Sequence, residues 1–333
     1  MANETAYIGI DIGGTKVAAG LVNEKGEILS EIRVPMNSTG SAAEGLAAVK
    51  DAIEKIMATI QDKTIAAIGV TSPGPLDPRS GVVINPPNVP CWRNFPLKAE
   101  IERAYGLPVT VDNDANAAGL AEALWGAGVG YSSVFYATLG TGIGTGIIFD
   151  GQLYYGRTGA AGEGGHTTID YRGDYPCGCG KTGCIEAMAS GPAIARRARA
   201  KVMADYNRGR TLVDLADGDA SRITAEMVAQ AWRAGDPMAT EVLEETADVL
   251  TVWLGNAIDW LEPDVIVIGG GVGELMSNFF GFISKKLPKW SINQRCTEIP
   301  MKLARYMEHS GVAGAAALCL GTNLCPDSAK QGN

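Results

Sequence analysis

Residues 8–20 read Ile-Gly-Ile-Asp-Ile-Gly-Gly-Thr-Lys-Val-Ala-Ala-Gly. An apolar run reaches Asp11, the pair Gly13-Gly14 interrupts it, and a second apolar run follows Lys16. That pattern is a strand, a glycine turn and a second strand. Residues 136–146 repeat it as Tyr-Ala-Thr-Leu-Gly-Thr-Gly-Ile-Gly-Thr-Gly, again with threonine in the turn. One such hairpin is ordinary. Two, each opening its own series of strands and helices, predict an internally duplicated α/β chain of two domains with a cleft between them.

Around the first hairpin, strands are expected over 6–12, 17–23 and 28–34. Ser41 and Glu44 have the spacing of a capping box. The helix they open has Leu46, Val49, Ile53, Ile56 and Ile60 on one face. A buried strand at 65–71 is stopped by Ser72-Pro73-Gly74-Pro75. A short strand at 109–111 runs into Asp112-Asn113-Asp114 and an alanine-rich helix to about 125. Around the second hairpin, strands are expected at 132–138 and 145–150. Thr224 caps a helix to about 234, and Asp236-Pro237 starts another that Pro263 ends. The strand 265–268 leads into Gly269-Gly270-Gly271. Residues 204–222, polar and rich in Gly and Asp, read as exposed loop. Residues 312–320 read as a small-residue helix, and the tail from Asn323 is expected to be disordered.

Composition narrows the function classes. The chain has 333 residues, enough for two cores, and 46% hydrophobic and 20% charged residues are ordinary for a globular enzyme. Lys+Arg number 28 against 37 Asp+Glu, giving a net charge of -9 without a basic run, so a nucleic-acid partner is not expected. No apolar run is long enough to span a membrane, and the first residues do not have the pattern of a signal peptide. A cytoplasmic protein is therefore expected. The N-x-[ST] sequons at Asn3 and Asn37 then carry no sugar.

The glycine turn Asp11-Ile12-Gly13-Gly14-Thr15-Lys16 suits a phosphate. Glycines let backbone N–H groups approach the oxygens, Thr and Lys add donors, and an Asp at a strand end can hold Mg²⁺. The plain alternative is a tight hairpin with Asp at its rim. Gly180-Lys181-Thr182 looks like the end of a Walker A loop, but Tyr175 stands where the first glycine is needed. Neither 140–146 nor 269–273 fits G-x-G-x-x-G.

Three of the seven cysteines lie together as Cys177-Gly-Cys179-Gly-Lys-Thr-Gly-Cys184, with His166 upstream. Three thiolates and one imidazole close a tetrahedral Zn²⁺ site with no position open to water, so its role is structural. The alternative is buried thiols and an unrelated His. Asp112-Asn113-Asp114, at a strand end and a helix start, suits either a general base or a helix cap. Glu163 and Glu186 flank the zinc ligands, and a closed zinc loop would bring these two carboxylates together, where they suit a polyhydroxylated ligand.

Asp11–Lys16 (DIGGTK), Asn113-Asp114-Ala115-Asn116, Glu163-Gly-Gly-His166 and Cys177–Glu186 (CGCGKTGCIE) occur in this order. Together they resemble the ROK family of sugar kinases and repressors, most of all its bacterial glucokinases, over residues 6–322. The resemblance implies an actin-like, ribonuclease-H-like two-domain fold with an interdomain cleft. Residues 1–118, completed by a C-terminal helix at about 312–322, would form one domain. Residues 119–311 would form the larger one carrying the zinc loop, with 323–333 as tail.

The resemblance also implies roles. ATP would lie on a first phosphate loop, Asp11, Gly13, Gly14, Thr15 and Lys16, and a second, Thr138, Gly140, Thr141, Gly142 and Gly144. Gly269, Gly270 and Gly271 would face the adenosine. Asp114 would be the catalytic base. Asn113, Glu163, His166 and Glu186 would hold sugar hydroxyls, with Gly74 and Asn88 lining the same pocket. His166 would put one nitrogen on Zn²⁺ and the other on the sugar. The expected reaction is ATP- and Mg²⁺-dependent phosphorylation of glucose at its 6-hydroxyl by a homo-oligomer, a dimer or tetramer. The retained C-x-C fits glucose or an N-acetylated hexosamine such as N-acetylglucosamine or N-acetylmannosamine. A sugar-sensing regulator without turnover is the reading from another class. Family repressors carry a DNA-binding helix-turn-helix ahead of the first strand; only five residues stand there in this sequence.

Overall fold

A computed structural model describes residues 4–60 and 62–320. The N-terminal half begins with strands β1 (Glu4–Ile12), β2 (Lys16–Asn23) and β3 (Ile28–Pro35), followed by helix α1 (Ala42–Met57) and strand β4 (Lys63–Thr71). A small hairpin, β5 (Leu76–Asp77) and β6 (Val82–Val83), precedes α2 (Leu97–Tyr105), β7 (Val109–Asp112) and α3 (Asp114–Trp125). Then come β8 (Ser133–Leu139), β9 (Ile143–Phe149) and β10 (Gln152–Leu153). The helical stretch holds α4 (Glu186–Ala189), α5 (Gly191–Ala204), α6 (Arg210–Leu215), α7 (Ala225–Arg233) and α8 (Pro237–Leu261). The chain continues through β11 (Val265–Gly269), α9 (Gly271–Ser277), α10 (Phe280–Lys286), β12 (Met301–Leu303) and α11 (Ser310–Ala317).

The two quoted hairpins seed two five-stranded sheets, ordered β3-β2-β1-β4-β7 and β10-β9-β8-β11-β12. In the first, β1 and β2 pair antiparallel while β4 and β7 join in parallel; in the second, β9 and β10 pair antiparallel and β12 joins β11 in parallel. The chain divides into two compact units. One contains Met1–Tyr136, Gly146–Gly162 and the residues from Arg305 on; the other contains Ala137–Thr145 and Glu163–Ala304.

In the first unit the core lies between the sheet and α1, whose Val49, Ile53 and Ile56 are fully buried with Ile8, Ile10 and Val70. The capping box is present: the Ser41 backbone N–H donates to Glu44 Oε2 at 2.6 Å and the Glu44 N–H donates to Ser41 Oγ at 3.2 Å. The sheet's other face receives α11 through small residues. A Cβ on Gly69 would lie 1.6 Å from the Ala315 carbonyl oxygen, and one on Gly9 2.1 Å from that of Val312. Glycine in these strands is what allows helix backbone to touch sheet backbone.

In the second unit, α8 starts at Asp236, whose Oδ1 accepts the Ala239 N–H at 2.8 Å, and ends at Glu262 in the left-handed region. Residues 204–222 depart from the expected exposed loop. They contain α6, with Leu212 and Val213 buried, because this short apolar pair docks although its surroundings are polar. Helix α2 also stands where no element was expected. The tail from Asn323 lies outside the described residues. Among the described residues no helix is long and apolar enough to cross a membrane.

Candidate active site

At the end of β7 the chain places three polar residues in different environments. Asp112 is buried, 1% exposed, and its carboxylate is held by three donors. Tyr155 Oη donates to Oδ2 at 2.6 Å, while the Asn113 N–H and Asn116 Nδ2 reach Oδ1 at 2.6 and 3.2 Å. Burial pushes the Asp112 carboxyl above the usual aspartate range, against these hydrogen bonds. Asn113 is the N-cap of α3 and accepts the Asn116 N–H at 2.7 Å. Asp114, the first residue of α3, is exposed, and its Oδ1 accepts the Ala115 N–H at 2.8 Å. Capping and anchoring thus fall to Asn113 and Asp112, and the exposed carboxylate is that of Asp114. Sequence reasoning missed Tyr155, which lies just beyond the short strand β10 and had no motif around it.

Asp11, half-buried, is the last residue but one of β1 in the same unit. Thr71 Oγ1, across the parallel pairing of β1 and β4, donates to Asp11 Oδ1 at 2.8 Å. Burial, with the nearby Asp114 carboxylate adding to it, raises the Asp11 pKa; Thr71 and Lys16 oppose the rise. The turn closes by the Gly13 N–H donating to the Lys16 carbonyl at 2.9 Å. Gly14 faces the chain at Asn88: a Cβ there would sit 2.7 Å from the Asn88 carbonyl oxygen. Asn88, from the Asn85–Pro90 segment, is therefore next to the first loop. Gly74, before a cis Gly74-Pro75 bond, is exposed on a loop tied to β7 by the Ser72 N–H donating to the Asp112 carbonyl at 3.0 Å.

The second unit gathers the other residues. His166 closes the short turn Gly164–His166, which exposed Glu163 precedes. The ligand atoms of His166, Cys177, Cys179 and Cys184 all lie within 4.8 Å of one another. Cys179 Sγ and Cys184 Sγ are 3.8 Å apart, and Cys177 Sγ is 3.6 Å from His166 Nδ1. Tetrahedral coordination with Zn–S near 2.3 Å separates thiolates by about 3.8 Å, the spacing of Cys179 and Cys184, so the chemistry of the four residues fits zinc. His166 would use Nδ1, which leaves Nε2 for another partner. Glu186, first residue of α4, has Oε1 4.0 Å from His166 Nδ1 and 3.6 Å from Cys177 Sγ. The remaining described cysteines, Cys91, Cys296 and Cys319, form no disulfide, and Cys325 lies outside the described residues.

Also in the second unit, a cavity of about 640 Å³ is lined by Gly140, Thr141, Gly191, Arg199, Thr224 and Gly271, among others. The N-terminal ends of α5 and α7 open onto it, a setting that favours anions. Arg199 Nη1 fixes one wall by donating to the Ile223 carbonyl at 2.8 Å. The cavity brings Gly140 and Thr141 of the second glycine loop together with Gly271, two segments that the resemblance implies for the same ligand. Gly270, at φ +80°, is required there: a Cβ would lie 2.3 Å from the Leu139 carbonyl oxygen and 2.8 Å from Thr138 Oγ1. The walls from α5 and α7 were not among the sequence candidates, since Gly191, Arg199 and Thr224 belong to no recognisable motif.

The model of the ROK family matches residues 7–322. The chain belongs to the ROK family. The glucokinase of Streptomyces coelicolor is 36% identical over 93% of this chain and 96% of its own length. The N-acetyl-D-glucosamine kinase of Pasteurella multocida is 32% identical over 94% of this chain and 98% of its own. The crystal structure of a ROK family glucokinase from Streptomyces griseus, in complex with glucose and AMPPNP, superposes with a TM-score of 0.78 at 36% identity, covering 94% of this chain and 98% of that one. The fold is that of the two-domain, actin-like, ribonuclease-H-like ROK kinases.

Proposed function

We propose that this ROK chain transfers the γ-phosphoryl group of ATP to the 6-hydroxyl of glucose, giving glucose 6-phosphate and ADP. The observation that carries the reading is the contrast at the end of β7: Asp112 is buried under three donors while Asp114, one residue past the cap, is exposed. A general base must reach its proton, and only Asp114 of the pair is placed to do so. It removes the 6-hydroxyl proton as the oxygen attacks phosphorus and the β–γ bridging bond breaks. Asn113, Glu163, Glu186 and the Nε2 of His166 are assigned to the other hydroxyls, and Gly74 and Asn88 to the lining of the sugar pocket.

ATP takes the cavity with its adenosine against Gly269–Gly271 and its phosphates on the amides of Gly140–Gly144 and Gly13–Lys16. Backbone N–H groups and Lys16 stabilise the charge of the phosphoryl group in transit. Asp11, half-buried beside Thr71, suits Mg²⁺, which supplies charge neutralisation when bound. His166, Cys177, Cys179 and Cys184 hold a structural Zn²⁺ that keeps the loop carrying Glu163 and Glu186 in shape. Such a kinase meets its substrates in the cytoplasm, and we assign it to a dimer or tetramer.

A second reading, an N-acetylhexosamine kinase, is favoured by the likeness to the N-acetyl-D-glucosamine kinase and by the retained C-x-C. A coupled ADP-release assay over glucose, N-acetylglucosamine and N-acetylmannosamine separates the two. The expected result is the highest kcat/KM with glucose. A preference for either amide sugar selects the second reading, and ligand binding without ADP release would identify a sugar sensor instead.

A further inference from the structure

The segment that carries Glu186 is bonded to the second phosphate loop at two points. Glu186 Oε2 accepts the Ile143 N–H at 2.9 Å, and just beyond α4 the Gly191 N–H donates to the Gly140 carbonyl at 2.8 Å. The turn carrying Glu163 and His166 is bonded to the strand that leaves the same loop: the Gly164 N–H donates to Thr145 Oγ1 at 3.0 Å. Backbone closeness enforces the arrangement, since a Cβ on Gly165 would lie 1.9 Å from the Ile143 carbonyl oxygen. A Cβ on Gly142 would meet Glu186 Oε2 at 2.7 Å. The other oxygen, Oε1, faces Cys177 and His166.

We propose that Glu186 is a positioning residue for the nucleotide as well as a ligand of the sugar, so that the two binding events are energetically coupled through its carboxylate. The inference deepens the kinase reading and rests on it. A sugar that fixes Oε1 fixes the carboxylate plane, and Oε2 then presents the Ile143 amide, and with it the Gly140–Ile143 loop, in one geometry. Linkage makes the effect reciprocal: a nucleotide that orders the loop must tighten sugar binding by the same factor.

The test is calorimetry on zinc-loaded protein, with glucose alone, Mg²⁺–AMPPNP alone, and each in the presence of the other. Metal content of every variant is measured alongside, so that loss of the zinc loop is not mistaken for loss of the contact. Glu186→Ala is expected to weaken AMPPNP binding in the absence of sugar by roughly fivefold or more, the lower end of typical coupling. Glu186→Gln keeps an acceptor for the Ile143 N–H and is expected to restore nucleotide affinity while sugar binding stays weak. Glu163→Gln is expected to weaken glucose alone.

The sharpest arm is Gly142→Ala, a change in the phosphate loop. Its methyl group displaces the Glu186 carboxylate and should weaken glucose binding, measured without nucleotide, by about fivefold. Wild-type glucose affinity in Gly142→Ala, or wild-type AMPPNP affinity in Glu186→Ala, overturns the coupling while leaving the kinase reading intact. A wild-type protein that binds no hexose overturns the kinase reading, and this inference with it.

Discussion

Burial raises the carboxyl pKa of two aspartates of the first unit, Asp11 and Asp112, which differ in their hydrogen-bond partners. The folded protein raises the Asp11 pKa, chiefly by burial. A carboxyl so raised destabilises the fold once the unfolded chain has ionised. The penalty starts as pH climbs past the ordinary aspartate value and is complete above the raised one. Asp11→Asn is isosteric and can still accept the Thr71 hydroxyl. It is expected to raise the melting temperature at pH 7, to lose that advantage as pH falls below the ordinary aspartate range, and to abolish turnover. A lower Tm at neutral pH would show that the charge is compensated in the fold. Asp112 differs because it gathers three donors. Asp112→Ala leaves the Tyr155 hydroxyl, the Asn113 N–H and the Asn116 amide without their acceptor, at ~1–3 kcal/mol for each buried group left unmade. Denaturant unfolding should therefore show a loss of at least 2 kcal/mol, by the same estimate. Asp112→Asn, which keeps an acceptor, should be far milder.

At the scale of elements, α11 and the zinc loop test two different kinds of support. Helix α11 lies on β1 and β4 with backbone against backbone, and Gly69 has the least room, 1.6 Å from a built Cβ to the Ala315 carbonyl oxygen. Gly69→Ala must push the helix away from the sheet. Overpacking of this kind costs about 1–3 kcal/mol, and here it meets main chain that cannot rotate aside. The expected readout is a lower Tm with kcat/KM at low temperature little changed, and an unchanged Tm would contradict the close docking.

The loop from Glu163 to Glu186 is short of hydrophobic packing, with Cys179 and its glycine neighbours exposed. Its order is expected to come from the metal, because binding and loop folding are coupled. One equivalent of zinc per chain is predicted. Chelation, or Cys177→Ser, should remove it together with sugar affinity, whereas metal analysis well below one equivalent in carefully prepared protein would refute the assignment.

For the whole molecule, the hairpins at Gly13-Gly14 and at Gly140–Gly144 made the duplicated α/β plan readable, because glycine turns between apolar runs have few other interpretations. Caps at Ser41, Thr224 and Asp236 were legible for the same reason: a side-chain oxygen and its target N–H are three residues apart in sequence. The bounds of helix α5 were not legible, since its buried positions include Ala193, Ala195 and Ala198, which contrast too little with their neighbours to show a period. The short α6 offers fewer than two turns in which a period could appear. Within the site, contiguous motifs were readable and converging singletons were not. Tyr155 meets Asp112 from 43 residues away. Gly191, Arg199 and Thr224 meet Gly140 only through the folding of three separate segments. The Glu186–Ile143 contact, also across 43 residues, had no sequence signal at all.

If Asp114 is the base of a glucose kinase, its loss must show in the steady-state kinetics of Asp114→Asn with glucose and Mg²⁺–ATP. Asparagine preserves the size of the side chain, and Asn113 rather than residue 114 provides the cap of α3, so the fold should be retained. Loss of general-base assistance is worth ~10²–10⁴-fold. The expected result is a fall in kcat of at least about a hundredfold, with Tm nearly unchanged and glucose affinity only modestly reduced. Retention of more than about a tenth of wild-type turnover, outside the range for a lost base, would contradict it.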